Sequence, residues 1–343
     1  MRRHLLALAC LAALTQAASA QSRWRTEAVP YYTPPAFMQG QLNGWYRPRA
    51  QAFAQTASTL ATQVQAQCDG APAAASRRAW TDALLAWDRL SAVAVGPLVE
   101  RRSARRIDFA PTRPELIARA IERAPKDAAE METIGSAAKG LPALEHLLWP
   151  AAPKDAACRY AVQVAADIAR EAQALAAAFE ARATAEPDDA QTVTAMNEAV
   201  NQWLGGIEQL RLQGLERPLA EARSRGTAPH FGRDASGASA AERGARWQAL
   251  RALAVHDGQD APAAEGALVP LEPYLRGKGL NPLADRLLAA VRRADRDLNA
   301  AVGNSAGPVR TAARSLATLR TLVEAEVAPA LDIRLGFSDA DGD

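Results

Sequence analysis

The sequence predicts an all-α protein made of two packed antiparallel helical bundles, and three observations carry that prediction. Alanine and leucine dominate, aromatic residues make up only 5% of the chain, and β-branched residues are sparse, which favours helix over strand. Long segments run without Gly or Pro, and within them apolar residues recur at three- and four-residue spacing instead of alternating. The segments are joined by short turns, as in antiparallel bundles, and 343 residues exceed what one four-helix bundle needs. A duplicated four-helix-bundle unit is one reading, with a faint echo between the stretches around Trp80 and Trp247.

The elements follow in order. Residues 1–20 carry Arg2 and Arg3, an apolar stretch over 5–14 and the small-residue site Ala18-Ser19-Ala20, the form of a secretory signal peptide cleaved after Ala20. Residues 21–48, with Pro30, Pro34, Pro35 and Pro48, read as an irregular N-terminal arm draped over the first bundle. That bundle spans 49–186. Its first helix, 49–67, turns Phe53, Ala57, Leu60, Ala61 and Val64 inward, and its second, 74–103, buries Trp80, Leu84, Trp87 and Leu90. An irregular connection over 106–114 leads to a helix over 115–124, and a long alanine-rich helix covers 156–185. The second bundle spans 187–343. It opens with a helix over 191–226 that Gly205, Gly206 and Gly214 should bend. A Gly- and Ser-rich loop over 226–240 follows, then helices over 241–255, 280–302 and 308–331.

Composition excludes several functions. Formal charge is +2, and removal of Arg2 and Arg3 leaves acids and bases balanced, so no basic excess exists for nucleic acid. The cluster Arg101, Arg102, Arg105 and Arg106 spreads over more than one helix face and reads as solvated surface with local acidic partners. No later segment offers the roughly 18 apolar residues of a membrane span. There is no H-E-x-x-H, no G-x-S-x-G and no phosphate-binding glycine motif. With Cys10 in the leader, Cys68 and Cys158 remain. In an oxidising compartment a disulfide between them is the leading reading, with two free buried thiols as the alternative.

The stretch Gly140-Leu141-Pro142-Ala143-Leu144-Glu145-His146-Leu147-Leu148-Trp149 carries the most chemistry. A Gly-Pro turn feeds an apolar helix whose only early carboxylate is Glu145. The helix dipole favours an acid there by about 0.3–1 kcal/mol, which leaves a structural acid and a functional one open. His146 adjoins it, about 100° round the helix. Asp108 and Arg113 flank a Pro-containing turn, where a loop ion pair is the favoured reading and a shared groove the other.

Three segments together resemble the imelysin-like family of exported bacterial proteins. They are residues 140–149, the stretch from Trp80 through Trp87 to Gly96-Pro97, and the C-terminal run from Leu335 to Asp343. The resemblance spans about residues 45–335 as one domain. It implies a fold of two helical bundles, a periplasmic or cell-envelope setting, a link to iron acquisition and a proposed metallopeptidase activity. The family's G-x-H-x-x-E motif falls on Gly140, Pro142 and Glu145, so Pro142 stands where the motif has histidine. The metal candidates are then Glu145, His146 and Asp108, with the acidic tail Asp339, Asp341 and Asp343 as a further source of carboxylates. Trp149 and Arg113 line the groove with Gly140 and Pro142. The cation would be iron or another divalent or trivalent ion. The expected function is non-enzymatic binding of a metal, metal complex or envelope protein partner. A metal-dependent peptidase and a helical scaffold with a decayed site are the alternatives.

Overall fold

The computed structural model describes residues 23–149, 155–185 and 189–336, and among them every regular element is helical. The leader, with its cleavage site, and the tail carboxylates Asp339, Asp341 and Asp343 lie outside the described residues. Helix α1 (Pro34–Gln41) passes through a wide π turn, Leu42–Tyr46, into α2 (Arg47–Cys68). The irregular arm expected up to residue 48 therefore ends at Thr33. Its hydroxyl accepts from Ala36 N at 3.2 Å, and Pro34 and Pro35 occupy the first turn, where a missing N–H costs nothing. The remaining arm does not lie on the first bundle. Trp24 Nε1 donates to Gly258 O (3.2 Å), Tyr32 Oη to Pro262 O (2.9 Å), and Arg25 holds the buried Glu272.

Helix α3 (Ala73–Ser91) buries Trp80, Leu84, Trp87 and Leu90 as the spacing predicts. It stops twelve residues short of the expected end, and Gly96, at φ +48° before Pro97, turns the chain into a separate short helical turn. Short turns follow, including α4 (Ser103–Ile107), then α5 (Pro114–Arg123) and α6 (Gly140–Leu148). The second long stretch comprises α7 (Asp155–Ala183), α8 (Asp189–Arg211), α9 (Arg217–Arg225) and α10 (Ser239–Ala254). It closes with α11 (Leu271–Gly277), α12 (Asn281–Ala300) and α13 (Ala306–Leu322).

Packing groups α2 with α3 and α7, and α6 against α7 and α3. Beyond them α8 packs on α13 and α10, and α12 joins α10 to α13. The groups meet where α3 lies on α10 and α1 on α8. At that seam α8 crosses the end of α3 so closely that a Cβ on Gly206 would sit 2.1 Å from Ala92 O. One apolar core runs through both groups.

Three π turns recur, at Leu42–Tyr46, Leu212–Glu216 and Val323–Val327, each followed two residues later by a proline. Proline has no N–H and collides with the carbonyl four residues back, and a widened turn relieves both. The first two share a sequence, Leu42-Asn43-Gly44-Trp45-Tyr46-Arg47-Pro48 against Leu212-Gln213-Gly214-Leu215-Glu216-Arg217-Pro218.

Cys68 and Cys158 are bridged, with Cα atoms 5.6 Å apart across a separation of 90 residues. The bridge ties the end of α2 to the start of α7, and loop closure of that length contributes about 4 kcal/mol in the chain-entropy account. Of the arginine cluster, Arg101 and Arg106 reach the buried Glu171, and Arg106 also reaches Glu132.

Candidate functional site

Helix α6 begins at a position only glycine can hold. Gly140 has φ +79°, and a Cβ there would lie 2.6 Å from Ile107 O and 2.8 Å from Arg106 O. Just before it, the buried Lys139 donates to Met131 O and pairs with Asp167 at 3.3 Å. Trp80 Nε1 donates to Leu141 O at 2.9 Å. The first turn is thus fixed to α3, to α7 and to the end of α4, and Pro142 is buried within it.

One turn on, Glu145 is 6% exposed. Its Oε1 accepts from the backbone N (2.9 Å) and hydroxyl (2.7 Å) of Ser236, and its Oε2 lies 4.0 Å from Arg233. The 232–239 loop therefore folds over α6 and carries Arg233 into the seam. Arg233, at φ +45°, contacts Asp108 at the end of α4 and reaches Glu242 at 3.4 Å. Arg246 completes the cluster. Its guanidinium donates to Asp88 Oδ1 (2.8 Å), Glu242 Oε1 (2.8 Å) and Asp108 Oδ2 (3.3 Å).

Four carboxylates, Asp88, Asp108, Glu145 and Glu242, thus share two guanidinium groups. Asp88 has no exposed surface, and its Oδ2 has no hydrogen-bond partner. Burial pushes its carboxyl up to about 7 against the pull of Arg246. Asp108 is also raised by burial, but Arg233 and Arg246 outweigh that and hold it below the usual carboxylate range. Burial lowers both arginines and the facing carboxylates more than reverse it, so both are held charged.

Of the residues named from sequence, Asp108 and Glu145 come together here, with Gly140 and Pro142 shaping the support. His146 is exposed and takes no part. Arg113 is exposed too, and Asp108 pairs with Arg233 and Arg246 in its place. Trp149 is half-buried and packs edge-on to Trp80 at 5.0 Å, so it backs the site at one remove. Asp88, Glu242, Arg233, Arg246 and Ser236 were not foreseen. Asp88 had a readable signal, since it falls four residues after Leu84 and eight after Trp80 on an otherwise apolar stripe.

The donor set bears on which metal fits. With Pro142 at the motif's histidine position, no histidine or cysteine among the described residues joins the cluster, which argues against a zinc-type centre. Among the described residues Asp88, Asp108 and Glu242 each offer an oxygen, all within 4.8 Å of one another, and that set suits hard, oxygen-seeking cations.

Comparison with known proteins agrees with the architecture. The family described as Imelysin (Peptidase_M75) matches residues 46–332. The crystal structure of an imelysin-like protein from Psychrobacter arcticus 273-4 is similar at TM-score 0.72 and 21% identity, over 90% of this chain and 99% of that one. A structure described as an iron-regulated protein A precursor from Parabacteroides distasonis ATCC 8503 is similar at TM-score 0.65 and 14% identity, over 85% of this chain and 93% of that one. No curated protein matches. By the extent of that family match and by its all-helical fold, this chain belongs to the imelysin family.

Proposed function

We propose that this is an exported, non-enzymatic member of the family that binds a metal ion or metal complex at the seam beside residues 140–149, in the service of iron acquisition. The observation that carries the reading is the gathering of four carboxylates, Asp88 and Glu145 buried and Asp108 and Glu242 half-buried, around two arginines, because an excess of negative charge drawn away from solvent is costly unless a cation or protons offset it. Export is supported by the leader-like residues 1–20 and by the bridge between Cys68 and Cys158. No helix among the described residues is long and apolar enough to cross a membrane. The iron link is supported by the name of the Parabacteroides relative. The non-enzymatic reading is supported by Pro142, since metal-ion hydrolysis needs a firm ligand set, an open coordination position and a general base.

Elemental analysis of untagged protein, purified from cells replete in iron and calcium, tests this. Near-stoichiometric metal in the wild type and its loss in Glu145→Ala are the expected results. Metal-free wild-type protein would end the binding reading. Chelator-sensitive peptide cleavage that vanishes in the same variant would replace it with the peptidase.

A further inference from the structure

The orphaned oxygen of Asp88 and the position of Arg246 allow a sharper statement, which rests on the reading that the seam takes a cation. We propose that Asp88, Asp108 and Glu242 are the ligands of one hard divalent cation, that the Arg246 guanidinium is the counter-ion this cation displaces, and that the motif residue Glu145 positions the site without ligating.

The geometry supports each part. Oxygens about 2.4 Å from a hard cation lie roughly 3.4 Å apart when adjacent and about 4.8 Å apart when opposite. The three oxygens offered by Asp88, Asp108 and Glu242 fall within 4.8 Å of one another. Asp88 Oδ2 is buried with no partner, a state that is costly to hold and that a bound cation would relieve. Arg246 donates to all three carboxylates at once, so it fills the place a cation would take. Its side chain is 26% exposed, which gives the guanidinium a way out toward solvent. Arg233, by contrast, is buried and held by Asp108 and Glu242, and stays. Arg243 also senses Glu242, but its hydrogen bond goes to Asn304.

Glu145 has a different task. Both of its bonds at Oε1 go to Ser236, and through them it fixes the loop that delivers Arg233. A carboxamide keeps an acceptor for those two donors.

Mn²⁺ provides the probe, because binding quenches its free-ion spin-resonance signal, with Ca²⁺ as competitor. Wild-type protein is expected to bind one Mn²⁺. Asp88→Asn should weaken binding at least tenfold, and Glu242→Gln serves as a second variant if Asp88→Asn fails to fold. Arg246→Gln should bind about tenfold tighter. It should also melt lower without Mn²⁺ and recover with it, as ligand linkage requires. Glu145→Gln should keep the one-to-one stoichiometry, and His146→Ala should change nothing. If the wild type binds neither Mn²⁺ nor Ca²⁺, this proposal fails, and the function above fails with it only if elemental analysis also finds the wild type metal-free. If it binds, but through His146 or Glu145 with Asp88→Asn and Glu242→Gln unaffected, only the ligand assignment fails. Equal weakening by Asp88→Asn and Arg246→Gln would overturn the displaced counter-ion.

Discussion

At the scale of single residues, Gly140 shows how a local choice serves the seam. Gly140 lets α6 start against the carbonyls of Arg106 and Ile107 in a left-handed conformation. Gly140→Ala combines a strained φ with a close backbone contact, so we expect a loss of about 2 kcal/mol or more, read as a lower denaturation midpoint. A midpoint shift under a quarter of that would mean that the carbonyls move aside freely. The turn at Gly140 was legible in the sequence as a break before a helix. Its necessity was not, because the carbonyls that crowd it lie more than thirty residues earlier. Glu145 and Asp108 were legible as acids in unusual company. Arg233, Arg246 and Ser236 were not, because contacts such as Ser236 with Glu145 and Arg246 with Asp88, 91 and 158 residues apart, leave no local pattern.

At the scale of elements, the apolar stripes of α2 and α3 were readable because helical periodicity is a property of neighbouring residues. The ends were less so. Proline at 34, 35 and 48 suggested irregular chain, yet each sits in the first turn of a helical segment or just past a π turn, where its missing donor is tolerated. Charge also joins elements in the second half. On α8, Glu208 hydrogen-bonds Arg211 and faces Arg320 of α13, and these arginines hold its carboxyl below the usual range. A lowered pKa contributes stability above the unfolded value of about 4.5 and loses it as pH falls through the folded value. Glu208→Gln should therefore be less stable than wild type at pH 7, with the gap closing below about pH 4.5 in denaturant titrations. A gap that persists at pH 3 would assign the effect to packing.

At the scale of the whole molecule, echoes recur in one order. The shared π turns come first, then Trp80 and Trp247, then Leu144-Glu145 with Leu148 and Leu271-Glu272 with Leu275. Such an order is what a duplicated unit would leave. The seam unites like elements, α3 with α10 and α1 with α8. Arg25 and Glu272 join the arm to the second group through two hydrogen bonds, at 2.6 and 3.1 Å, with Glu272 wholly buried. Arg25→Ala leaves Glu272 with Arg276 alone. The expected loss is about 2 kcal/mol, measurable as faster proteolysis near residue 30. Unchanged melting and proteolysis would show the arm to be dispensable.

The anchorage of that arm sets an order of events. Its docking surface is formed by chain some 230 to 250 residues downstream, so the arm cannot settle until that later chain has been made. Until then the arm stays open to whatever enzyme trims or escorts the chain.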